Sequence, residues 1–160
     1  MIGNLTAVRI RDCAGPAEYP LLVEIWRSAV EATHHFLAEA DRADIEGRLA
    51  DAYFPNVRLT VAEVEGQPVG FAGTAGEHLE MLFVRADAHG RGVGSALLEH
   101  VVARQRVRGV DVNEQNAQAV RFYRRRGFVV TRRSELDEAG RPYPILGLIR
   151  QPQDDTGSRC

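Results

Sequence analysis

Three glycines fall within five residues, at Gly90, Gly92 and Gly94. They separate a run that reads as a strand, His78-Leu79-Glu80-Met81-Leu82-Phe83-Val84, from a stretch whose apolar positions Val93, Leu97, Leu98, Val101 and Val102 recur at helical spacing. A strand, a glycine-rich turn over Arg85–Arg91 and a helix opening near Gly92 make a generic anion site. Glycine lets backbone approach a ligand closely, the amides of a first helical turn point outward, and the helix dipole adds about 0.3–1 kcal/mol for a negative group. A diphosphate fits such a turn, and so does plain chain reversal with no ligand. No Gly-Lys-Ser/Thr follows, which disfavours a P-loop kinase or ATPase. The loop also comes mid-chain, after an antiparallel hairpin, which does not suit a dinucleotide-binding domain.

The remaining pattern is mixed. Val8–Ile10 reads as a short strand, and Leu21, Leu22, Ile25, Trp26, Ala29 and Val30 mark an amphipathic helix after Gly15-Pro16. A second, acidic helix is expected from Asp41 to Phe54, ended by Pro55. Arg58–Val64 and Pro68–Gly73 flank Glu65-Gly66 as a hairpin. Val110–Val112, Phe128–Arg132 and Ile145–Ile149 read as further strands, with a helix over Ala117–Arg126 closed by Gly127. Along the strand His78–Val84, alternation puts His78, Glu80 and Leu82 on one face and Leu79, Met81 and Phe83 on the other.

A chain of 160 residues fits one domain, burying roughly 70% of its unfolded surface, and we expect it over residues 1–150, with a disordered polar tail at 151–160. No apolar run approaches the ~18 residues of a membrane span, and Met1-Ile2-Gly3-Asn4 lacks a signal peptide's basic start, so a cytoplasmic protein without membrane partners is expected. Cys13, placed at the first strand, and Cys160 lie at opposite ends, and no cysteine–histidine spacing suits a metal, so free thiols and no metal site are expected. The net charge of −2 argues against a nucleic-acid partner. It conceals a split: residues 17–54 carry eight acids and three arginines, whereas residues 85–133 carry eleven arginines and four acids. All 20 basic residues are arginine.

The loop His89-Gly90-Arg91-Gly92-Val93-Gly94 resembles the Gln/Arg-x-x-Gly-x-Gly/Ala pattern of the GNAT superfamily of N-acetyltransferases. Asn116, Ala119, Tyr123 and Gly127-Phe128 look like its second motif. His89 stands where Gln or Arg is usual, and Ala86 where proline is common. Ala32–Leu37, Val112–Asn116 and Gly140–Pro144 look more like the bacterial YjaB-type branch, associated with peptidyl-lysine acetylation.

The resemblance implies an α/β (α+β) fold with a mixed, mostly antiparallel seven-stranded sheet, strands 4 and 5 splayed, and about four helices on its faces. It implies acetyl-coenzyme A as cofactor, with Leu82, Phe83 and Val84 bonding the pantetheine arm, His89, Gly90, Arg91, Gly92, Val93, Gly94 and Ser95 holding the pyrophosphate, and Asn116 meeting the arm from the other side. It implies an amine acceptor, a protein lysine or a small cationic amine, near His34, His35, Phe36 and Tyr143, and allows a homodimer.

Chemistry assigns the remaining roles. An alkylammonium of pKa ~10.4 must lose a proton before it attacks a thioester. His78 and Glu80 are candidate bases, the resemblance adds Asp111 at a position where relatives place a catalytic glutamate, and water passing the proton onward is an equal alternative. The Val84 amide is a natural donor to the carbonyl oxygen as it gains charge. Tyr123 suits protonation of the departing thiolate, a phenol near 10 lying close to a thiol's ~8.5, and is otherwise a packing residue. Acetyl transfer to a protein lysine, acetylation of a polyamine or amino-sugar, and a non-catalytic acyl-coenzyme A sensor are the functions left open.

Overall fold

The computed structural model describes residues 7–152. Gln151 and Pro152 are exposed and irregular, and the rest of the expected tail, with Cys160, lies outside the described residues. The chain divides between Val107 and Arg108 into two compact units.

The first unit contains β1 (Val8–Asp12), α1 (Tyr19–Thr33), α2 (Glu39–Arg48), β2 (Arg58–Val64), β3 (Gln67–Ala75), β4 (His78–Val84) and α3 (Val93–Gln105). Its strands lie in the order β1-β2-β3-β4, each antiparallel to its neighbour. Cys13 follows β1 instead of opening it, and is a half-buried free thiol. Glu65 and Gly66 both have positive φ, 53° and 77°, which gives the β2–β3 hairpin the twist its strands need.

α1 buries Leu22, Ile25, Trp26, Ala29 and Val30, the stripe that the sequence spacing marks except for Leu21, which is exposed. Leu22, Ile25, Trp26 and Val30 share a core with Leu49, Phe54 and Phe71, where Phe54 and Phe71 meet edge to face at 5.6 Å. Truncating Phe54, wholly buried, to alanine would cost about 3–5 kcal/mol.

The expected single helix over Asp41–Phe54 is corrected. α2 ends at Arg48 and passes into a π-helical turn over Leu49–Tyr53, then a 3-10 turn, Phe54–Asn56. The Phe54 N–H bonds the Leu49 carbonyl, an i→i+5 link. Five residues apart on an α-helix would point in divergent directions, and the wider turn brings Leu49 and Phe54 into the same core.

β4 also departs from simple alternation. Its register against β3 pairs Leu79 with Thr74 and Met81 with Gly73, so Glu80 is an extra, unmatched residue. His78, Met81 and Phe83 therefore share the face of Phe71, and Leu79, Leu82 and Val84 share the other, which overturns the expected division. That other face carries α3, whose Val93, Leu97, Leu98 and Val101 are buried. Gly70 makes room: a Cβ there would lie 3.0 Å from Val93 Cγ1, 3.1 Å from the Phe83 carbonyl and 3.2 Å from Leu97 Cδ1.

The second unit contains β5 (Gly109–Asn113), α4 (Ala117–Arg124), β6 (Phe128–Ser134) and β7 (Ile145–Arg150), with antiparallel order β5-β7-β6. Asn116 caps α4, its Oδ1 accepting from the Ala119 N–H at 3.2 Å. Gly127, at φ 90°, turns the chain after it. Arg132 reaches across β7 to Asp111 on β5 at 2.5 Å, a path that only Gly147 leaves clear: a Cβ there would stand 2.6 Å from Arg132 Cγ and Nε. The seven strands and four α-helices of the described residues agree with the sequence reading. Among the described residues no helix is long and apolar enough to cross a membrane.

Candidate active site

The loop between β4 and α3 is built from its amides. Arg85 N–H donates to the Val69 carbonyl (2.8 Å), Ala88 N–H to Arg85 (2.9 Å) and His89 N–H to Ala86 (3.3 Å), winding the chain into a short 3-10 turn, Ala86–Ala88. Gly90 and Gly92 follow with φ of 80° and 81°, conformations that any residue with a Cβ resists. Gly92 is the N-cap of α3, and the helical ladder begins with Ala96 N–H on its carbonyl at 3.0 Å. The Val93 and Gly94 amides precede that first bond and by helix geometry point off the helix end, where the dipole favours an anion. Around both Gly90 and Gly92 the position of a Cβ is open, with no atom within 4 Å. A cradle of this kind fits a diphosphate.

Upstream, alternation sets which backbone groups of β4 are presented. Because Arg85 N–H turns toward β3, the Val84 N–H turns away from it. His89 donates through Nε2–H to the Val84 carbonyl at 2.8 Å, so its imidazole is tied to the strand it follows. The Phe83 ring leaves that edge and packs with Trp26 (6.3 Å), Phe71 (5.8 Å) and His34 (6.4 Å), leaving its backbone as the part able to serve a ligand.

Those ring contacts bring together residues expected on opposite sides of the chemistry. His34 stacks obliquely on Phe36 at 5.2 Å and faces Phe83, whereas His35 is exposed. The tautomer of His34 follows from Thr33. The single Thr33 hydroxyl proton goes to the Ala29 carbonyl (2.8 Å), so the 2.7 Å contact with His34 requires Nδ1–H as donor. Nε2 then carries a lone pair. Burial pushes the imidazolium down to about 4, and His34 is neutral at physiological pH, able to accept a hydrogen bond but weakly basic. No feature of the sequence singles out Thr33 for this part.

Of the candidate bases, His78 Nδ1 and Glu80 Oε1 lie 3.3 Å apart at the start of β4, with Glu80 exposed. Asp111 is held by Arg132, an ion pair that occupies a carboxylate oxygen. In the second unit, the Asn116 cap engages its oxygen and leaves its amide N–H groups as donors. Tyr123 is 6% exposed between Phe122 (5.1 Å) and Phe128 (5.6 Å), and burial pushes its phenol above its ordinary value, keeping the proton on the oxygen. Tyr143 is buried as well.

The acids of residues 17–54 are partly neutralised. Glu46 meets Arg27 (2.9 Å) and Arg42 (3.5 Å), Asp44 meets Arg48 (3.1 Å), and Glu18 meets Arg11 (2.5 Å). Arg27, Arg42 and Arg48 are the segment's own three arginines, already in its charge balance, so only Arg11 offsets an acid beyond what the composition gives.

Comparison with known proteins agrees with the geometry. Residues 25–143 match the acetyltransferase (GNAT) domain model, across both units. The chain is 46% identical over 129 residues to the peptidyl-lysine N-acetyltransferase YjaB of Salmonella typhimurium, covering 80% of this chain and 88% of that protein. The solution structure of apo YjaB from Escherichia coli superposes with a TM-score of 0.81 at 43% identity, covering 89% of this chain and 97% of that one. The PaiA N-acetyltransferase of Thermoplasma acidophilum, solved with coenzyme A, shares the fold at a TM-score of 0.68 and 17% identity, covering 88% and 98%. With its glycine loop, its capped second motif and these relatives in view, the chain belongs to the GNAT family and is an N-acetyltransferase.

Proposed function

We propose that the chain works as one acetyltransferase domain over residues 1–150, binding acetyl-coenzyme A on the Arg85–Ser95 loop and acetylating lysine side chains of proteins. The observation that carries the cofactor reading is the open pair of positive-φ glycines, Gly90 and Gly92, at the N-terminus of α3. The acceptor reading is supported by the YjaB relative, 46% identical and named for peptidyl-lysine acetylation. The cytoplasm, where thioester and protein lysines coexist, is its place of action.

The bound thioester supplies an activated acetyl group. The Val84 N–H, which points away from β3, stabilises the acetyl oxygen as it gains charge. Tyr123 is the acid for the departing sulfur; burial raises its phenol above the ordinary value and so widens the gap to the thiol that the proton transfer must cross. Neutral His34, with its Nε2 lone pair and the Phe36 ring, accepts an N–H from the incoming amine. Its depressed basicity makes it a positioning group and leaves deprotonation to His78, Glu80 or water.

Free thiol released from acetyl-coenzyme A is the assay, with lysine-rich peptides, polyamines, amino-sugars and neutral amines as acceptors. Lysine peptides should lead, with a modest advantage lost at high salt, since exposed charges are screened over about 8 Å at physiological ionic strength. Because all 20 basic residues are arginine, any acetyl-lysine found in the assay comes from the acceptor. Fastest turnover of an amino-sugar would move the substrate class to small molecules. Cofactor binding with no thiol from any amine would make the chain a sensor.

A further inference from the structure

The two places where the loop departs from the family pattern are both engaged. Ala86, where proline is common, donates its N–H to Ser28 Oγ on α1 at 3.0 Å. His89, where Gln or Arg is usual, donates from its ring to the Val84 carbonyl at 2.8 Å. The backbone is already shaped as a proline would shape it. Arg85 sits at φ −52°, ψ 143°, the extended region that a residue before proline prefers, and Ala86 opens the 3-10 turn, a position that tolerates proline's fixed φ and missing N–H. An alanine there has no ring to hold φ and carries an N–H that needs a partner.

We propose that Ser28 and His89 are positioning residues that brace the Arg85–His89 turn, Ser28 holding by a hydrogen bond the conformation that a proline at position 86 would hold covalently. Together they fix the base from which Gly90 and Gly92 present the cofactor-binding amides. The proposal rests on the reading that this loop binds coenzyme A. It also links two parts of the first unit, since Ser28 lies on the helix that ends in Thr33 beside His34.

Proline rescue separates bracing from simple loss of packing. Wild type, Ser28→Ala, Ala86→Pro and the double variant are compared by two measurements: hydrogen exchange at the Ala88 and His89 amides in cofactor-free protein, and coenzyme A affinity by calorimetry. Ser28→Ala should speed exchange and weaken affinity about threefold to tenfold, the worth of one hydrogen bond. Ala86→Pro alone should stay within about twofold of wild type, because the Ser28 hydroxyl can turn to a carbonyl of its own helix. The double variant should return to within about twofold of wild type, with no donor left to satisfy and φ restored by the ring. His89→Ala should weaken binding by a similar factor, and His89→Gln, which keeps a donor, should recover part of it. A double variant as weak as Ser28→Ala, or a Ser28→Ala protein unchanged in both measurements, overturns the proposal. If wild type fails to bind coenzyme A, the cofactor reading falls, while exchange in the cofactor-free protein still decides the brace.

Discussion

Gly70→Ala perturbs the site from beneath. The added methyl would stand 3.0 Å from Val93 Cγ1, 3.1 Å from the Phe83 carbonyl and 3.2 Å from Leu97 Cδ1. Two of these neighbours are wholly buried side chains and the third is backbone, so none can swing away cheaply. Overpacking of this kind costs about 1–3 kcal/mol, and at about 2–4 °C per kcal/mol for a chain of this size the melting temperature should fall by roughly 2–12 °C. Relief comes by lifting α3 from β3, and Val93 is the residue after Gly92, so the phosphate loop should move with it. A shift of a few tenths of an ångström should weaken coenzyme A binding about threefold to tenfold. Gly73→Ala is the control. Its Cβ would meet Val57 Cγ2 at 3.0 Å and the flexible Met81 Cε at 3.3 Å, on the face away from α3. It should cost about 1 kcal/mol or less and leave affinity unchanged. Thermal melts and calorimetry on the two variants suffice. A Gly70→Ala protein with wild-type affinity, or a Gly73→Ala protein that loses as much, would refute the coupling of this close approach to the loop.

Tyr123→Phe keeps the ring between Phe122 and Phe128 and removes only the hydroxyl, so kcat should drop about 10²–10⁴-fold with cofactor affinity intact, and full turnover would reduce Tyr123 to packing. Stability should fall with acid in two windows. His34 is depressed to about 4 by burial, so stability is unaffected above pH ~6.5 and falls as acid protonates the unfolded chain between ~6.5 and 4, about 3 kcal/mol at most, a pH dependence that His34→Gln should remove. Glu18 is held at about 2 by Arg11, so its contribution, about 1–2 kcal/mol after discounting for nearby water, is present above pH ~4.3 and lost as pH falls toward 2. Urea melts at pH 7, 5 and 3 on wild type, His34→Gln and Glu18→Gln check both, and parallel pH dependences in all three proteins would contradict them.

Elements were legible in the sequence wherever one physical signal dominated. The α1 stripe, the Glu65-Gly66 turn and the β4–loop–α3 segment fall where spacing and glycine put them. The break after Arg48 was not legible, because helical propensity runs on past it and only the tertiary demand that Leu49 and Phe54 fill one core imposes the wider turn. The same holds within the site. Glycines in the loop announce themselves, but Ser28 is 58 residues from the amide it binds, and a serine on a helix carries no sign of that partner. Gly147 likewise reads as an unremarkable strand glycine until Arg132 is seen to lie across it.

The extra residue in β4 bears on how the length of this segment can vary. With Glu80 unmatched, Leu79 and Met81 already face opposite layers, as consecutive residues of an uninterrupted strand would. Removing Glu80 would join them without turning any other β4 side chain over, so the strand tolerates a one-residue deletion here and nowhere else between Leu79 and Val84. An insertion or deletion separating homologous sequences in this stretch therefore belongs at Glu80, and an alignment that places it after Met81 would assign the wrong residues to the two faces of β4.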